Sequence, residues 1–282
     1  MIGKKRTVRD IIDQKGSGDK IVMLTAYDAS FARFLDRSGV EIVLVGDSLG
    51  MVALGYESTV PVTMEEMLHH SRAVKHGVEQ ALLVGDMPFL SYQVDPREAI
   101  SNGGRFLKEA GCDAVKLEGG LEICTTVAAM VRAGIPVMGH IGLTPQTAGA
   151  LGGYKVQGRD AQSARRLLAE AKGLAEAGAF ALVLECIPDK LAAAITASIA
   201  IPTIGIGAGV QCDGQVLVSH DLLGMFEKFV PSFVKRYANL APQIAEAIAA
   251  FREEVKDGVY PDAEHSFVMQ GEVEDLLKHD KG

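Results

Sequence analysis

Ionisable side chains recur at the ends of short aliphatic runs along the chain. They are Asp47, Asp86, Lys116 with Glu118, His140 and Glu185. Carboxylates held close together repel one another, and a divalent cation relieves that repulsion. Carboxylate oxygens favour a hard ion, and Mg²⁺ needs only two or three protein ligands because it keeps part of its water shell. The pattern therefore predicts a magnesium site, beside which Lys116 and His140 bind an anionic substrate.

Some of these residues have a second interpretation. Lys116 would be a Schiff-base nucleophile if an apolar pocket depressed the pKa of its amine, but Glu118, two residues on, favours a charged lysine. His140 would be a core histidine with a satisfied ring, although its position at a strand end favours a functional role. Each carboxylate taken singly is also explained by a salt bridge at a strand end. Ionisable groups that cluster, however, indicate a functional site.

The elements that position these residues are predicted from alternating short aliphatic and longer amphipathic segments, which are typical of βα units. Eight strands are predicted, at residues 21–26, 41–46, 81–86, 114–117, 136–140, 181–185, 202–206 and 215–219. Eight such strands close a (β/α)8 TIM barrel, whose active site lies at the carboxyl ends of the strands. Side chains alternate along a strand, so Val43, Val45 and Asp47 share one face, as do Val183 and Glu185. The apolar members are expected to fill the barrel and the polar members to surround its mouth.

Signals for helix ends support this division. Thr63 with Glu66 predicts a capping box, and Asp95 before Pro96 predicts a helix start. Glycines that end helices are expected just before four strands, at Gly39, Gly111, Gly134 and Gly178.

The chain changes character after Pro231. Apolar residues recur at steps of three and four, at Phe233, Tyr237, Leu240, Ile244, Ile248, Phe251 and Val255. This spacing predicts a long C-terminal helix over residues 232–258 with one apolar face, followed by a short irregular tail over residues 259–282. No linker-like segment interrupts the sequence, so residues 1–282 are expected to form a single barrel domain with this helix appended.

Composition limits the partners of the protein. Its 282 residues carry a net charge of -8, which disfavours nucleic acid as a partner because a phosphate-binding face must be basic. The uncharged segment 191–210 is interrupted by Pro202, so a helix and a buried strand are expected there and no membrane partner. Four cysteines without close spacing and an N-terminus without an apolar signal segment favour a cytoplasmic protein with reduced thiols.

Two further motifs carry weaker signals. Gly205, Gly207 and Gly209 follow the seventh predicted strand, where barrels often bind phosphate. Val210 breaks the dinucleotide-binding pattern, so close backbone approach to a ligand or a tight turn explains the glycines equally well. His69, His70 and His76 lie on one predicted helix without the spacing of a metal site.

Seven sequence blocks resemble the ketopantoate hydroxymethyltransferase family. They are GDSLGMV, GDMPF, AVKLEGG, GIPVMGHIGLTPQ, GGYKVQG, LECIP and IPTIGIGAG with CDGQVLV, and they occur in the order found in that family. The resemblance spans about residues 21–267 and is specific because the blocks are distinct from one another.

The resemblance implies an enzyme that transfers a hydroxymethyl group from 5,10-methylenetetrahydrofolate to 3-methyl-2-oxobutanoate, giving 2-dehydropantoate through a magnesium-stabilised enolate. Matched by motif, Asp47 and Asp86 correspond to Mg²⁺ ligands, with Glu118 in or beside the metal shell. Asp47, Ser48, Asp86, Lys116 and His140 correspond to the keto-acid site, and Glu185 corresponds to the base. The family also implies a homo-oligomer, often a decamer. It offers no motif for the folate pocket.

Two other functions would use parts of the same residue set. A folate-independent, Mg²⁺-dependent 2-oxo acid lyase or mutase of the isocitrate lyase and phosphoenolpyruvate mutase type shares enolate chemistry, but the K-K-C-G-H stretch of the lyases is absent from the sequence. A non-catalytic barrel that serves as a binding or scaffold protein would not need Asp47, Asp86 and Glu185 together.

Overall fold

The computed structural model describes residues 4–269, in which eight strands form a closed parallel barrel. The strands are β1 (Ile21–Thr25), β2 (Ile42–Val45), β3 (Leu82–Asp86), β4 (Ala114–Glu118), β5 (Val137–Gly142), β6 (Ala181–Glu185), β7 (Thr203–Ile206) and β8 (Gly214–Leu217). Each strand pairs with its neighbours in chain order, and β8 pairs with β1. The (β/α)8 TIM barrel is confirmed, and every predicted strand boundary lies within two residues of the observed one.

Helices connect and flank most of the strands. They are α1 (Val8–Asp13), α2 (Ala29–Arg37), α3 (Leu49–Val52), α4 (Met64–Lys75), α5 (Pro96–Lys108), α6 (Cys124–Arg132), α7 (Ala161–Glu176), α8 (Asp189–Ser198), α9 (Ser219–Leu222) and α10 (Leu240–Asp257). The loop 207–213 joins β7 to β8 directly.

Local sequence signals explain where the helices begin and end. The Thr63 hydroxyl accepts a hydrogen bond from the Glu66 N–H, and the Glu66 carboxylate accepts one from the Thr63 N–H, so the predicted capping box starts α4. Asp95 caps α5 by accepting a hydrogen bond from the Arg97 N–H. The glycines predicted to end helices all have left-handed backbone, with φ of +80° at Gly39, +70° at Gly111, +88° at Gly134 and +96° at Gly178.

Two apolar layers surround the sheet. The inner layer fills the barrel with buried side chains that include Ile21, Met23, Ile42, Leu82, Val84, Met138 and Ile204. The outer layer packs the helices on the sheet and includes Phe106 of α5. A Cβ on Gly85 would lie 2.3 Å from Phe106 Cδ1, so a glycine lets α5 approach β3 directly behind Asp86.

The C-terminal helix is shorter than predicted. It begins at Leu240 rather than at residue 232, because tertiary contacts hold the preceding segment in another conformation. The N–H groups of Tyr237 and Leu240 donate to the carbonyls of Leu222 and Leu223, and Phe233 packs against Gly207. The predicted single domain over 1–282 stays a prediction, and residues 270–282 of the predicted tail lie outside the described residues.

The helix and buried strand expected in the uncharged segment 191–210 are confirmed. The segment 191–210 contains α8 and β7, and no helix among residues 4–269 is long and apolar enough to cross a membrane. All four cysteines lie within these residues and are free thiols.

Candidate active site

One cavity at the carboxyl ends of the strands contains every residue predicted for the site. It has a volume of about 390 Å³, and its lining includes Asp47, Ser48, Asp86, Lys116, Glu118, His140 and Glu185. Strands β2 to β6 position the ionisable members, all within two residues of the carboxyl end of a strand. The alternation of side chains along the predicted strands therefore identified ionisable residues that lie together in the structure.

The register of the sheet places opposite charges beside each other. Asp86 on β3 is the pairing partner of Lys116 on β4, and Glu118 on β4 is the pairing partner of His140 on β5. Neighbouring residues that point to the same side of parallel strands lie within contact distance. The ion pairs of the site are thus a direct consequence of strand pairing.

Lys116 is a buried, charged lysine. Its Nζ lies 2.8 Å from Asp86 Oδ1 and 3.7 Å from Glu118 Oε1. Burial alone would lower the pKa of Lys116, but the charges of Asp86, Glu118 and Asp47 outweigh it and hold the pKa above its usual value. A Schiff-base nucleophile requires a neutral amine, so this environment argues against that interpretation of Lys116.

His140 connects two carboxylates. Its Nδ1 lies 3.3 Å from Glu118 Oε1 and its Nε2 lies 3.1 Å from Glu185 Oε2. Burial and the charge of Lys116 would lower its pKa, but the contacts with Glu118 and Glu185 raise it to about 9. The ring is therefore protonated at neutral pH, and its 3.2 Å separation from Lys116 Nζ is a contact between two cations that share Glu118.

Asp47 and Asp86 form the less neutralised part of the cluster. The Asp47 N–H donates to Asp86 Oδ2 over 3.2 Å. Burial raises the pKa of Asp47 well above its usual value, and the charges of Asp86 and Glu118 raise it further. Burial also raises the pKa of Asp86, against the opposing effect of Lys116. These two carboxylates need more positive charge than the protein places beside them.

A hard divalent cation fits this pair. Asp86 Oδ1 is buried and has an ion-pair contact with Lys116, but no described residue gives it a hydrogen bond of good geometry. Among residues 4–269, no group of three or more His, Cys, Asp or Glu side chains has the arrangement of a metal site. Glu118 is instead occupied by Lys116 and His140. Two carboxylates with retained waters match the coordination that Mg²⁺ accepts in proteins.

Gln146 is a site residue that sequence analysis missed. Its Nε2 donates to Asp47 Oδ2 over 3.0 Å and to the Met87 carbonyl over 2.9 Å. Its backbone N–H donates to Glu118 Oε2 over 3.0 Å, and its Oε1 accepts from the Tyr92 hydroxyl over 2.8 Å. This one residue therefore fixes carboxylates on both sides of the site. Gln146 ends the sequence block GIPVMGHIGLTPQ, but a neutral amide in a single 3₁₀ turn leaves no periodic pattern in the sequence.

Ser48 is held by another missed residue, Tyr27. The two hydroxyl oxygens lie 2.9 Å apart, and burial raises the pKa of Tyr27, so the phenol stays protonated. Next to Glu185, Cys186 has a left-handed backbone with φ of +48°, which is unusual for a residue other than glycine. Backbone strain of this kind persists where the surrounding structure enforces it, often at functional sites.

The glycine-rich loop after β7 is explained by packing. A Cβ on Gly207 would lie 2.8 Å from Phe233 Cδ1, and one on Gly209 would lie 2.6 Å from Asp189 Cβ. Close approach of other protein groups accounts for these glycines without a bound phosphate. His69, His70 and His76 lie on or at the end of α4, and no group that could hold a metal ion is found among the described residues.

Solved structures similar to this one carry related barrels. Phosphoenolpyruvate phosphomutase from Streptomyces platensis subsp. rosaceus aligns with a TM-score of 0.62 and 16% identity, covering 98% of this chain and 96% of that one. A phosphonopyruvate hydrolase in complex with oxalate and Mg²⁺ aligns with a TM-score of 0.58 and 14% identity, covering 98% and 96% of the two chains. At such low identity these similarities establish the fold alone.

Sequence relatives are far closer. A 3-methyl-2-oxobutanoate hydroxymethyltransferase from Desulfotalea psychrophila is 60% identical over 98% of this chain and 99% of its own length. One from Carboxydothermus hydrogenoformans is 61% identical over 95% of this chain and 97% of its own. The family model described as ketopantoate hydroxymethyltransferase matches residues 5–263. The chain therefore belongs to the ketopantoate hydroxymethyltransferase family.

Proposed function

We propose that this protein transfers a hydroxymethyl group from 5,10-methylenetetrahydrofolate to 3-methyl-2-oxobutanoate, giving 2-dehydropantoate. The observation that carries the proposal is the convergence of Asp47, Asp86, Lys116, His140 and Glu185 in one cavity of a chain that is 60% identical to a relative named for this keto acid. Keto-acid chemistry of this kind needs a cation site, a binding site for the substrate carboxylate and a base within reach.

Asp47 and Asp86 are the residues that would hold Mg²⁺, with Glu118 beside them. When bound, Mg²⁺ supplies Lewis-acid polarisation of the substrate carbonyl, which makes the neighbouring C3–H bond more acidic. Gln146 keeps Asp47 oriented through the hydrogen bond from its Nε2. Positioned ligands of this type limit the rearrangement that accompanies metal binding.

Lys116 and His140 supply the positive charge that attracts the keto-acid carboxylate. Both side chains are buried and cationic at neutral pH, so their attraction for an anion is screened less than it would be at the surface. Ser48 adds a hydroxyl that Tyr27 orients from 2.9 Å away. These three residues would fix the substrate so that its C3–H bond lies near Glu185.

Glu185 is the proposed general base. His140 Nε2 contacts Glu185 Oε2, while Oε1 accepts no hydrogen bond from the described residues. The Glu185 side chain is 14% exposed, against 2% for Glu118, so it is the more accessible of the two carboxylates beside His140. Glu185 would remove the C3 proton, and the resulting enolate carbon would bond to the methylene carbon of the folate. Both C–N bonds of that carbon would break, water would supply the hydroxyl oxygen, and the two nitrogens of tetrahydrofolate would take up the released protons. A positioned base of this kind contributes about 10²- to 10⁴-fold to the rate.

We propose that the protein is cytoplasmic and forms a homo-oligomer, which would be a decamer if it follows its family. Support comes from α10, which has no buried residue and exposes 43% of Ile244, 63% of Ile248, 54% of Phe251 and 47% of Val255. An apolar stripe of this kind is typical of a surface that another subunit covers. Light scattering of the full chain tests this, and a monodisperse monomer would contradict it.

The function is tested by proton NMR of 3-methyl-2-oxobutanoate in D₂O with the protein. We expect loss of the C3–H signal with Mg²⁺, no loss with EDTA, and formation of 2-dehydropantoate once methylenetetrahydrofolate is added. Exchange without product under these conditions would instead indicate a folate-independent 2-oxo acid enzyme. Absence of both exchange and product would overturn the proposal.

A further inference from the structure

The active-site cavity extends beyond the groups assigned to the keto acid. Another part of its lining comes from the segment that follows β8 and contains Asp221, Phe226, Phe229 and Phe233. The volume of about 390 Å³ falls in the range of about 300–1,000 Å³ that accommodates drug-sized ligands, whereas 3-methyl-2-oxobutanoate is much smaller. The cavity therefore has room for a second, partly aromatic molecule.

Asp221 is a buried carboxylate without a partner in this part of the lining. It is 8% exposed, its Oδ1 is fully shielded from solvent, and neither oxygen accepts a hydrogen bond from residues 4–269. Burial raises its pKa to about 6, so the group is still ionised at neutral pH. An ionised carboxylate that is buried without hydrogen bonds is costly, and a ligand that donates to it removes that cost.

Neighbouring residues do not supply the missing donors. Arg236 lowers the pKa of Asp221 through its charge, but its guanidinium donates to the Phe226 carbonyl over 3.4 Å and forms no ion pair with Asp221 in the described structure. Burial lowers the pKa of His220, the preceding residue, so its ring is neutral at neutral pH. Oδ2, the carboxylate oxygen of Asp221 that is not fully shielded, therefore remains available to a ligand.

We propose that Oδ2 of Asp221 accepts an N–H of the 2-amino group on the pterin ring of the one-carbon donor. Phe226 and Phe233 would line the faces of that ring. This inference rests on the proposed function, because it takes methylenetetrahydrofolate as the second substrate. A hydrogen bond to an ionised carboxylate is about twice as strong as one between neutral groups.

Charge favours this ligand over the alternatives in the cavity. The keto acid is an anion, so Asp221 repels it and Lys116 attracts it. The glutamate end of a folate is also anionic, which leaves the pterin as the part of the donor that suits Asp221. The pterin would therefore enter the cavity and the glutamate end would remain outside.

The test compares Asp221→Asn with wild type by titrating tetrahydrofolate in the presence of Mg²⁺ and keto acid. The asparagine keeps the shape of the side chain but loses one acceptor and the charge. We expect folate affinity to fall about 10- to 100-fold, the range for a lost hydrogen bond to a charged group. Keto-acid C3–H exchange without folate is expected to stay unchanged. Glu227→Gln, the same chemical change at an exposed residue of this segment, should alter neither.

A tetrahydrofolate analogue without the 2-amino group sharpens the test. Wild type should bind it more weakly than tetrahydrofolate, and Asp221→Asn should discriminate much less between the two, because both changes remove the same contact. Unchanged folate affinity in Asp221→Asn would overturn the assignment. Loss of C3–H exchange together with folate binding would also overturn it, since Asp221 would then support the whole site. Failure of the proposed function is separate, because it would appear as absence of product with wild type.

Discussion

Glu118 and Asp47 lie in the same buried cluster, yet their pKa values shift in opposite directions. Burial raises both, but Lys116 and His140 pull the pKa of Glu118 below its usual value, whereas Asp86 and Glu118 push that of Asp47 further up. The fold gives Glu118 its own counter-ions and gives Asp47 another carboxylate. The comparison indicates that one side of the site has its counter-ions within the chain, and that the proposed cation would complete the other.

The largest effect is expected at Glu185, the more exposed of the two glutamates beside His140. Glu185→Gln should lower C3–H exchange of 3-methyl-2-oxobutanoate by about 10²- to 10⁴-fold, because the amide cannot accept the proton. Binding of Mg²⁺ and keto acid should persist. Proton NMR measures the exchange and calorimetry the binding. Glu170→Gln, the same change at a glutamate paired with Arg166 on α7, serves as control. Wild-type exchange rates in Glu185→Gln would refute its role as base.

Removal of the shared counter-ion should be next in size. Lys116→Met leaves Glu118 and Asp86 buried without their lysine, and breaking a buried pair costs about 3–5 kcal/mol in unfolding free energy. Urea unfolding of the metal-free protein measures this change. Arg9→Met removes an ion pair with Asp13 whose side chains are 76% and 56% exposed, so it should change stability little. Equal stability of Lys116→Met and wild type would mean that Lys116 is not the counter-ion described here.

Substitution of Gln146, which hydrogen-bonds to both Asp47 and Glu118, should cause an intermediate loss of stability. Gln146→Leu removes the donors to Asp47 and the Met87 carbonyl and the acceptor of the Tyr92 hydroxyl. Leaving buried polar groups unsatisfied costs about 1–3 kcal/mol. Thermal unfolding should reveal the loss, together with weaker Mg²⁺ binding. Gln162→Leu, at an exposed position of α7, is the matched control. Unchanged Mg²⁺ affinity in Gln146→Leu would contradict a positioning role toward Asp47.

The smallest effect is expected for Asp47→Asn, which should stabilise the metal-free protein rather than destabilise it. Asp47→Asn removes a carboxylate whose pKa is raised, so the metal-free variant should be more stable than wild type at neutral pH. It should also lose the increase in Tm that Mg²⁺ gives wild type through preferential binding to the folded state. Thermal unfolding in EDTA and in MgCl₂ measures both. If Asp47→Asn were less stable than wild type in EDTA, repulsion between the carboxylates of Asp47 and Asp86 would not be the dominant effect at this position.

Much of this arrangement was predictable from local sequence. Buried parallel strands are continuous aliphatic runs bounded by glycine or polar residues, so their positions were legible without a structure. Alternation along each strand then identified Asp47, Asp86, Lys116 and Glu185. The resemblance to a family added the identity of the substrates.

The parts that sequence reasoning missed depend on contacts between distant segments. Tyr92, in a loop, and Gln146, in a single 3₁₀ turn, are neutral residues. Only the folded chain shows that they join Asp47 to Glu118. The start of α10 at Leu240 is set by hydrogen bonds to the carbonyls that follow α9, which an apolar repeat does not encode. Asp221 was missed because it lies beyond the end of β8, in the short helix α9.

The residues assigned to the keto acid and the residues assigned to the folate belong to different parts of the barrel, here called the first and the second arc. The groups assigned to proton removal lie on the consecutive strands β2 to β6, while Asp221 and its aromatic neighbours follow β8. On the proposals made above, the first arc generates the nucleophile and the second selects the electrophile. Substitutions confined to residues 221–233 could then redirect carbon–carbon bond formation toward another acceptor while the proton chemistry stays intact.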